Sequence, residues 1–166
     1  MTAQIGEVLI YEGQENAMCI EPLEDFFEFG GSKPAFEPSC SALWRGYVGT
    51  WEIVNNRLYM VGLDGTLTDG TNATLETVFS GYPNRVFAHW YSGTLRIPEG
   101  KMLKYLHMGY GSTYERDRFF TIEKGVVIDI QVCQNGVAEE DEALEGYSIK
   151  AMTILPKHNR EEGNTR

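Results

Sequence analysis

Long apolar runs, paired cysteines and excess basic charge are what this chain lacks. No stretch approaches the roughly 18 apolar residues of a membrane-spanning helix. The N-terminus does not show the charged, apolar and small-residue order of a signal peptide. A soluble, cytoplasmic protein is therefore expected. Cysteine occurs three times, at Cys19, Cys40 and Cys133. The number is odd and no Cys-x-x-Cys spacing exists, which fits buried free thiols in a reducing cytosol. Lys and Arg number 14 against 24 Asp and Glu, a formal net charge of -10. That balance does not provide the basic footprint that neutralises DNA or RNA phosphates, so no nucleic acid duplex is expected as a partner. It also disfavours an anionic membrane surface. It suits a basic protein partner, or solubility alone.

What is present is aromatic and β-rich. Hydrophobic residues make up 42% of the 166 positions and aromatic residues 12%, enough for a core without disulfides or metal. The length suggests one domain, placed at residues 1–155, with a polar tail at 156–166. Residues 43–61 read as two strands around a tight Asn55-Asn56 turn, in which both residues take positive φ. Direct pairing predicts Ile53 opposite Leu58, Trp51 opposite Met60 and Gly49 opposite Gly62. A second hairpin is expected at residues 119–132, around a three-residue loop Glu123-Lys124-Gly125.

Residues 7–11 read as a first strand, with Met18-Cys19-Ile20 as a short partner. Pro22, Pro34, Pro38, Gly30 and Gly31 keep residues 21–41 from forming one regular element, although one helical turn around Leu23, Phe26 and Phe27 is allowed. Residues 71–79 lean to strand or irregular, and residues 85–91 read as a strand. Pro98-Glu99-Gly100 reads as a turn, and residues 101–108 fit strand or helix equally. A short acidic helix is expected at 138–144 and a last strand at 147–155. Many short strands between regular turns point to a mainly β, single-domain antiparallel β-barrel or sandwich with one or two short helices.

Charge is unevenly placed. Residues 1–40 hold eight acids against one base, Lys33, whereas residues 85–118 hold six bases against three acids. Guanidinium forks beside aromatic faces suit an anionic ring compound. The ligand-binding candidates are accordingly Arg45, Trp90, Tyr91, Arg96, Tyr110, Arg116 and Arg118. Gly109-Tyr110-Gly111-Ser112 has the form of an anion-binding nest, but no P-loop Lys follows it. The opposing account is that these bases pair with acids and the aromatics fill the core. Catalytic candidates are His89 and His107, with Glu115 or Asp117 as orienter. Cys40 lies in a loop without an identified base. Three scattered histidines without Cys partners give no zinc pattern, and no metal or cofactor is expected.

Gly49-Thr50-Trp51 resembles the Gly-x-Trp signature on the first barrel strand of the lipocalin and fatty-acid-binding (calycin) families. That resemblance implies a closed barrel with an internal ligand pocket. It departs from the pattern in the 48 residues that precede Gly49. Residues 44–60, and the sequence Ser-Gly-Thr-Leu-Arg-Ile-Pro-Glu-Gly-Lys followed by His-Met-Gly-Tyr-Gly-Ser within 92–112, resemble a family of small bacterial and phage-borne proteins with no assigned activity. The first functional expectation is a non-enzymatic acidic protein-binding module, such as an immunity, inhibitor or accessory protein. The alternative is a binder that sequesters a small ligand or nucleotide-like signal, and the third reading is a small hydrolase using His89 and His107. Exposed edge strands leave room for a homodimer.

Overall fold

The computed structural model describes residues 3–106 and 110–137. The expected helix at 138–144 and strand at 147–155 lie outside the described residues. In chain order the elements are β1 (Glu7–Tyr11), β2 (Gln14–Met18), α1 (Pro22–Glu28), β3 (Tyr47–Val54), β4 (Arg57–Thr66), β5 (Asn72–Ala73), α2 (Leu75–Val78), β6 (Val86–Phe87), β7 (Gly93–Lys104), β8 (Thr113–Glu123) and β9 (Val126–Gln134). The protein is mainly β with two short helices.

The strands form one sheet in the order β2-β1-β3-β4-β9-β8-β7, with β5 and β6 paired to β4. Every described pairing of named strands is antiparallel except β1 with β3, which run parallel with Leu9 beside Trp51. The two ends of this path approach each other: just past β2, the Cys19 amide donates to the Arg96 carbonyl on β7 at 3.0 Å. Among the described residues, strand pairing does not close the sheet into a barrel.

Turn chemistry fixes the hairpins. Glu12-Gly13, Asn55-Asn56 and Lys124-Gly125 all have positive φ, the conformation that matches the twist of the flanking strands in two-residue loops. The β3–β4 hairpin keeps Ile53 with Leu58 and Trp51 with Met60, but a bulge between Thr50 and Trp51 shifts the rest, so Gly49 meets Leu63 and not Gly62. Two glycines carry no side chains to hold the simpler register. The β8–β9 loop has two residues, not three: Glu123 pairs with Val126, and a bulge moves Phe120 opposite Ile130. β2 likewise starts at Gln14 because the preceding turn is only Glu12-Gly13.

Three further expectations are corrected. Residues 85–91 contribute only β6, after which the chain turns, with the Tyr91 amide donating to the Ala88 carbonyl. Trp90 is drawn out of the strand pattern by its indole N–H, which donates to the Pro22 carbonyl at 2.9 Å. Residues 98–100 do not turn. They lie within β7, where Gly100 has φ +85 and the register with β8 shifts between Glu99 and Met102. Residues 71–79 hold the two-residue β5 and then α2, whose start is tied by the Thr74 amide donating to Thr77 Oγ1.

The core gathers Leu9, Trp51, Leu58, Met60, Leu95, Ile97, Phe120 and Ile122 from one face of the sheet. α1 begins with Pro22, whose fixed φ suits a first helical position, and Glu24 and Asp25 lie near the positive end of its dipole. Its Phe26 packs against Phe79 and Trp90 with ring centroids 4.8 and 5.0 Å apart, so helix, loop and sheet share one aromatic contact.

Gly125 is constrained from two sides. Its φ is +84, and an added Cβ would lie 2.8 Å from both the Ala88 carbonyl oxygen and the Phe87 ring. Gly125→Ala should lower unfolding stability by about 1–3 kcal/mol, measured by urea titration, because left-handed backbone and overpacking act together.

Candidate functional site: a buried carboxylate–guanidinium network beneath an exposed tryptophan

Glu7, Leu9 and Tyr11 alternate along β1 onto one face, and this puts a carboxylate in the core. Glu7 is 1% exposed. Its Oε2 accepts from Arg45 Nη2 at 2.8 Å, Arg45 Nε at 3.1 Å and the Gly49 amide at 2.8 Å, while Oε1 accepts from Trp51 Nε1 at 2.9 Å. Glycine at 49 is required by this approach, since a Cβ there would strike Glu7 Oε1 and the Trp51 indole nitrogen.

The network extends outward. Arg45, with its side chain 6% exposed, also places Nη1 3.3 Å from Glu21 Oε2. Glu21 accepts from the Tyr110 hydroxyl at 2.5 Å, and Glu24 accepts from the Tyr47 hydroxyl at 2.5 Å and from Lys33 at 3.1 Å. Burial pushes the Glu7 carboxyl up to about 7, against the opposing pull of the Arg45 charge and the Gly49 and Trp51 donors. Burial first, and the hydrogen bond to Glu24 second, raise the Tyr47 hydroxyl well above its ordinary value. Burial and Glu21 do the same to Tyr110.

The inward turn of Arg45 leaves its neighbour outside. Trp44 is 56% exposed and Ile5 is 45% exposed. Their two segments are laced together: the Ile5 amide donates to the Ala42 carbonyl at 2.8 Å, the Trp44 amide to Gln4 Oε1 at 3.2 Å, and Gln4 Nε2 to the Ser41 carbonyl at 2.8 Å. Two large apolar side chains are thus presented on a tied backbone.

The ligand candidates do not converge. Arg96 donates to Asp117 at 2.7 Å and to the carbonyls of Tyr110 and Ser112. Arg118 and Arg116 share Glu99, at 2.8 and 3.6 Å. Trp90 packs among Phe26, Phe79 and Trp51, and Tyr91 is buried, with its hydroxyl raised to about 12 by burial. A cleft of about 150 Å³ runs between the N-terminal segment and the far end of β7–β8, lined by Gly6, Cys19, Met102, Tyr105, Tyr110 and Tyr114 among others. Of the seven candidates, Tyr110 alone lines it. Small-molecule sites generally span about 300–1,000 Å³.

His89 is exposed and lies edge-on to Trp90 at 5.6 Å. Glu115 accepts from the Lys101 amide at 3.0 Å. His107 lies outside the described residues. The cysteines are not buried as expected: Cys40 and Cys133 are exposed because they sit in a loop and on the uncovered part of β9, and Cys19 is half-buried, with burial raising its thiol. Among the described residues no group of three or more His, Cys, Asp or Glu is arranged to hold a metal ion, and no helix is long and apolar enough to cross a membrane.

Sequence reasoning missed Glu7 and Trp44 as partners in one arrangement. Glu7 counts among the acids of an acidic segment, and only its shared parity with Leu9 signals an inward position.

Glu7→Ala should cost about 3–5 kcal/mol in urea unfolding, because it strands the Arg45 guanidinium without its main partner. The pH dependence has a definite sign. An unfolded Glu releases its proton near 4.5 and the folded Glu7 near 7, so within that window the folded state holds a proton the unfolded state has lost. Stability therefore falls as pH rises from about 5 to 7. Glu7→Gln should flatten that slope in the same titration.

No family model, curated protein or solved structure matches this chain.

Proposed function

We propose that this protein is a non-enzymatic acidic binding module that docks a basic protein partner through Trp44 and Ile5. The observation that carries the reading is the tied backbone holding both side chains in solvent. Tryptophan is a common hot-spot residue, and a pre-ordered backbone reduces the entropy lost on association. Glu21 lies beside this patch through its ion pair with Arg45, and the net charge of -10 steers a basic partner toward the surface. The small-ligand reading has less support: Arg45, Arg96, Arg116 and Arg118 are each paired with a carboxylate, and the cleft is small.

Native mass spectrometry on protein captured gently from a lysate of its own host tests the reading. A co-purifying basic protein is expected. Trp44→Ala should weaken the complex at least about 30-fold, the factor that corresponds to about 2 kcal/mol at a hot spot, with unfolding stability unchanged within about 0.5 kcal/mol. Retention of the partner by Trp44→Ala, or a tightly held small molecule in place of a protein, would overturn it.

A further inference from the structure

We infer that the free edge of β9 is a homodimer interface, in which residues 128–132 of two copies pair antiparallel about a twofold axis at Ile130. On one side β9 pairs with β8 along its length. On the other it meets β4 at a single pair, Arg57 with Val126, next to a hydrogen bond from the Val127 amide to the Asn56 carbonyl. Because the pairing is antiparallel and β4 starts at Arg57, β4 runs from Val126 toward Gly125, with the Leu58 amide donating to the Gly125 carbonyl, and the Asn55-Asn56 turn ends it on the Ile128 side. The second edge of residues 128–134 then faces no strand among the described residues.

The side chains on this stretch are those of a covered strand. Ile128, Ile130 and Val132 share one face of β9 and are 58%, 38% and 44% exposed. Ile130 stands directly opposite Phe120, which is fully buried, so the apolar row continues the core face of the sheet into solvent. Proteins ordinarily protect an exposed edge with Lys, Pro or a bulge. Here the one such device is the bulge that leaves Ile128 unpaired with β8; residues 129–134 are regular, contain no Lys or Pro, and carry the single charge Asp129.

That sequence complements itself. Antiparallel pairing centred on Ile130 sets Ile130 against its own copy and Ile128 against the partner's Val132, which joins two apolar rows on one face. On the other face Asp129 meets the partner's Gln131, so the two carboxylates are not opposed. An isologous twofold contact requires this self-complementarity, and the pairing would satisfy backbone groups the edge otherwise leaves to water.

Light scattering after size exclusion, run across a dilution series, should give twice the chain mass at high concentration, and Ile130→Lys should give one chain mass, with urea unfolding unchanged at dilutions where the parent chain is itself monomeric. In a Cys40→Ser, Cys133→Ser background, Ile130→Cys should form a disulfide-linked dimer under mild oxidation. Directly opposed residues place their Cβ atoms about 4.5–5.5 Å apart, close enough to bridge with slight adjustment. Ile128→Cys faces the partner's Val132 and should not cross-link. A monomer at every concentration would overturn the inference, and slow amide exchange at 128–134 in that monomer would assign the edge to another segment of the same chain. A dimer that survives Ile130→Lys and fails to cross-link through Ile130→Cys would also overturn it.

Discussion

A carboxylate and a guanidinium, both withdrawn from water, hold β1, β3 and the segment before β3 in one arrangement. Two guanidinium nitrogens, the Gly49 amide and the Trp51 indole all converge on the Glu7 carboxylate and offset part of its desolvation, the remainder appearing as the raised pKa of its carboxyl. Removing any one leaves a polar group in an apolar setting, which is why the residues act as a unit. The parallel contact of β1 with β3 lies directly alongside, and Gly49 is what lets the carboxylate reach the neighbouring backbone.

The outward face follows from the inward one. Arg45 points inward to meet Glu7 from a turn that it shares with Trp44, closed by the Gly46 amide donating to the Leu43 carbonyl at 3.2 Å. Trp44 is left in solvent on that turn, and the hydrogen bonds through Gln4 fix its backbone. A buried ion-pair residue and an exposed tryptophan are thereby adjacent in the chain. The same logic governs the remaining cations. Arg96, Arg116 and Arg118 are each tied to carboxylates on β7 or β8, so the local excess of basic residues in the middle of the chain does not become a basic pocket.

Much of the architecture was legible in the residues, and the losses have particular causes. Asn55-Asn56 and the pairs Ile53–Leu58 and Trp51–Met60 could be read because apolar alternation and turn chemistry agree there. The bulge after Thr50 could not, since Gly49 and Gly62 have no side chains to prefer a face. Lys124-Gly125 was hidden because a two-residue and a three-residue loop end on the same glycine, and only the opposing bulge distinguishes them. Residues 85–91 have strand composition throughout, yet a long-range hydrogen bond from Trp90 to Pro22 captures the second half. The candidate arginines were visible as a group, but composition does not say whether a cation faces a ligand or a carboxylate of its own chain.

The sequence by itself determined the mainly β character, the Asn55-Asn56 turn, the free thiols and the acidic charge balance, because these depend on local conformational preference and on composition. Tertiary structure alone decided that Glu7 is buried while Trp44 is exposed, that the middle arginines are internally paired, and that β9 meets β4 only at Val126. Those outcomes depend on which distant residues meet: β1 against β3, Pro22 against Trp90, Arg57 against Val126. Side-chain identity sets what each residue can offer, and the register of strands far apart in the chain sets what each is offered in return.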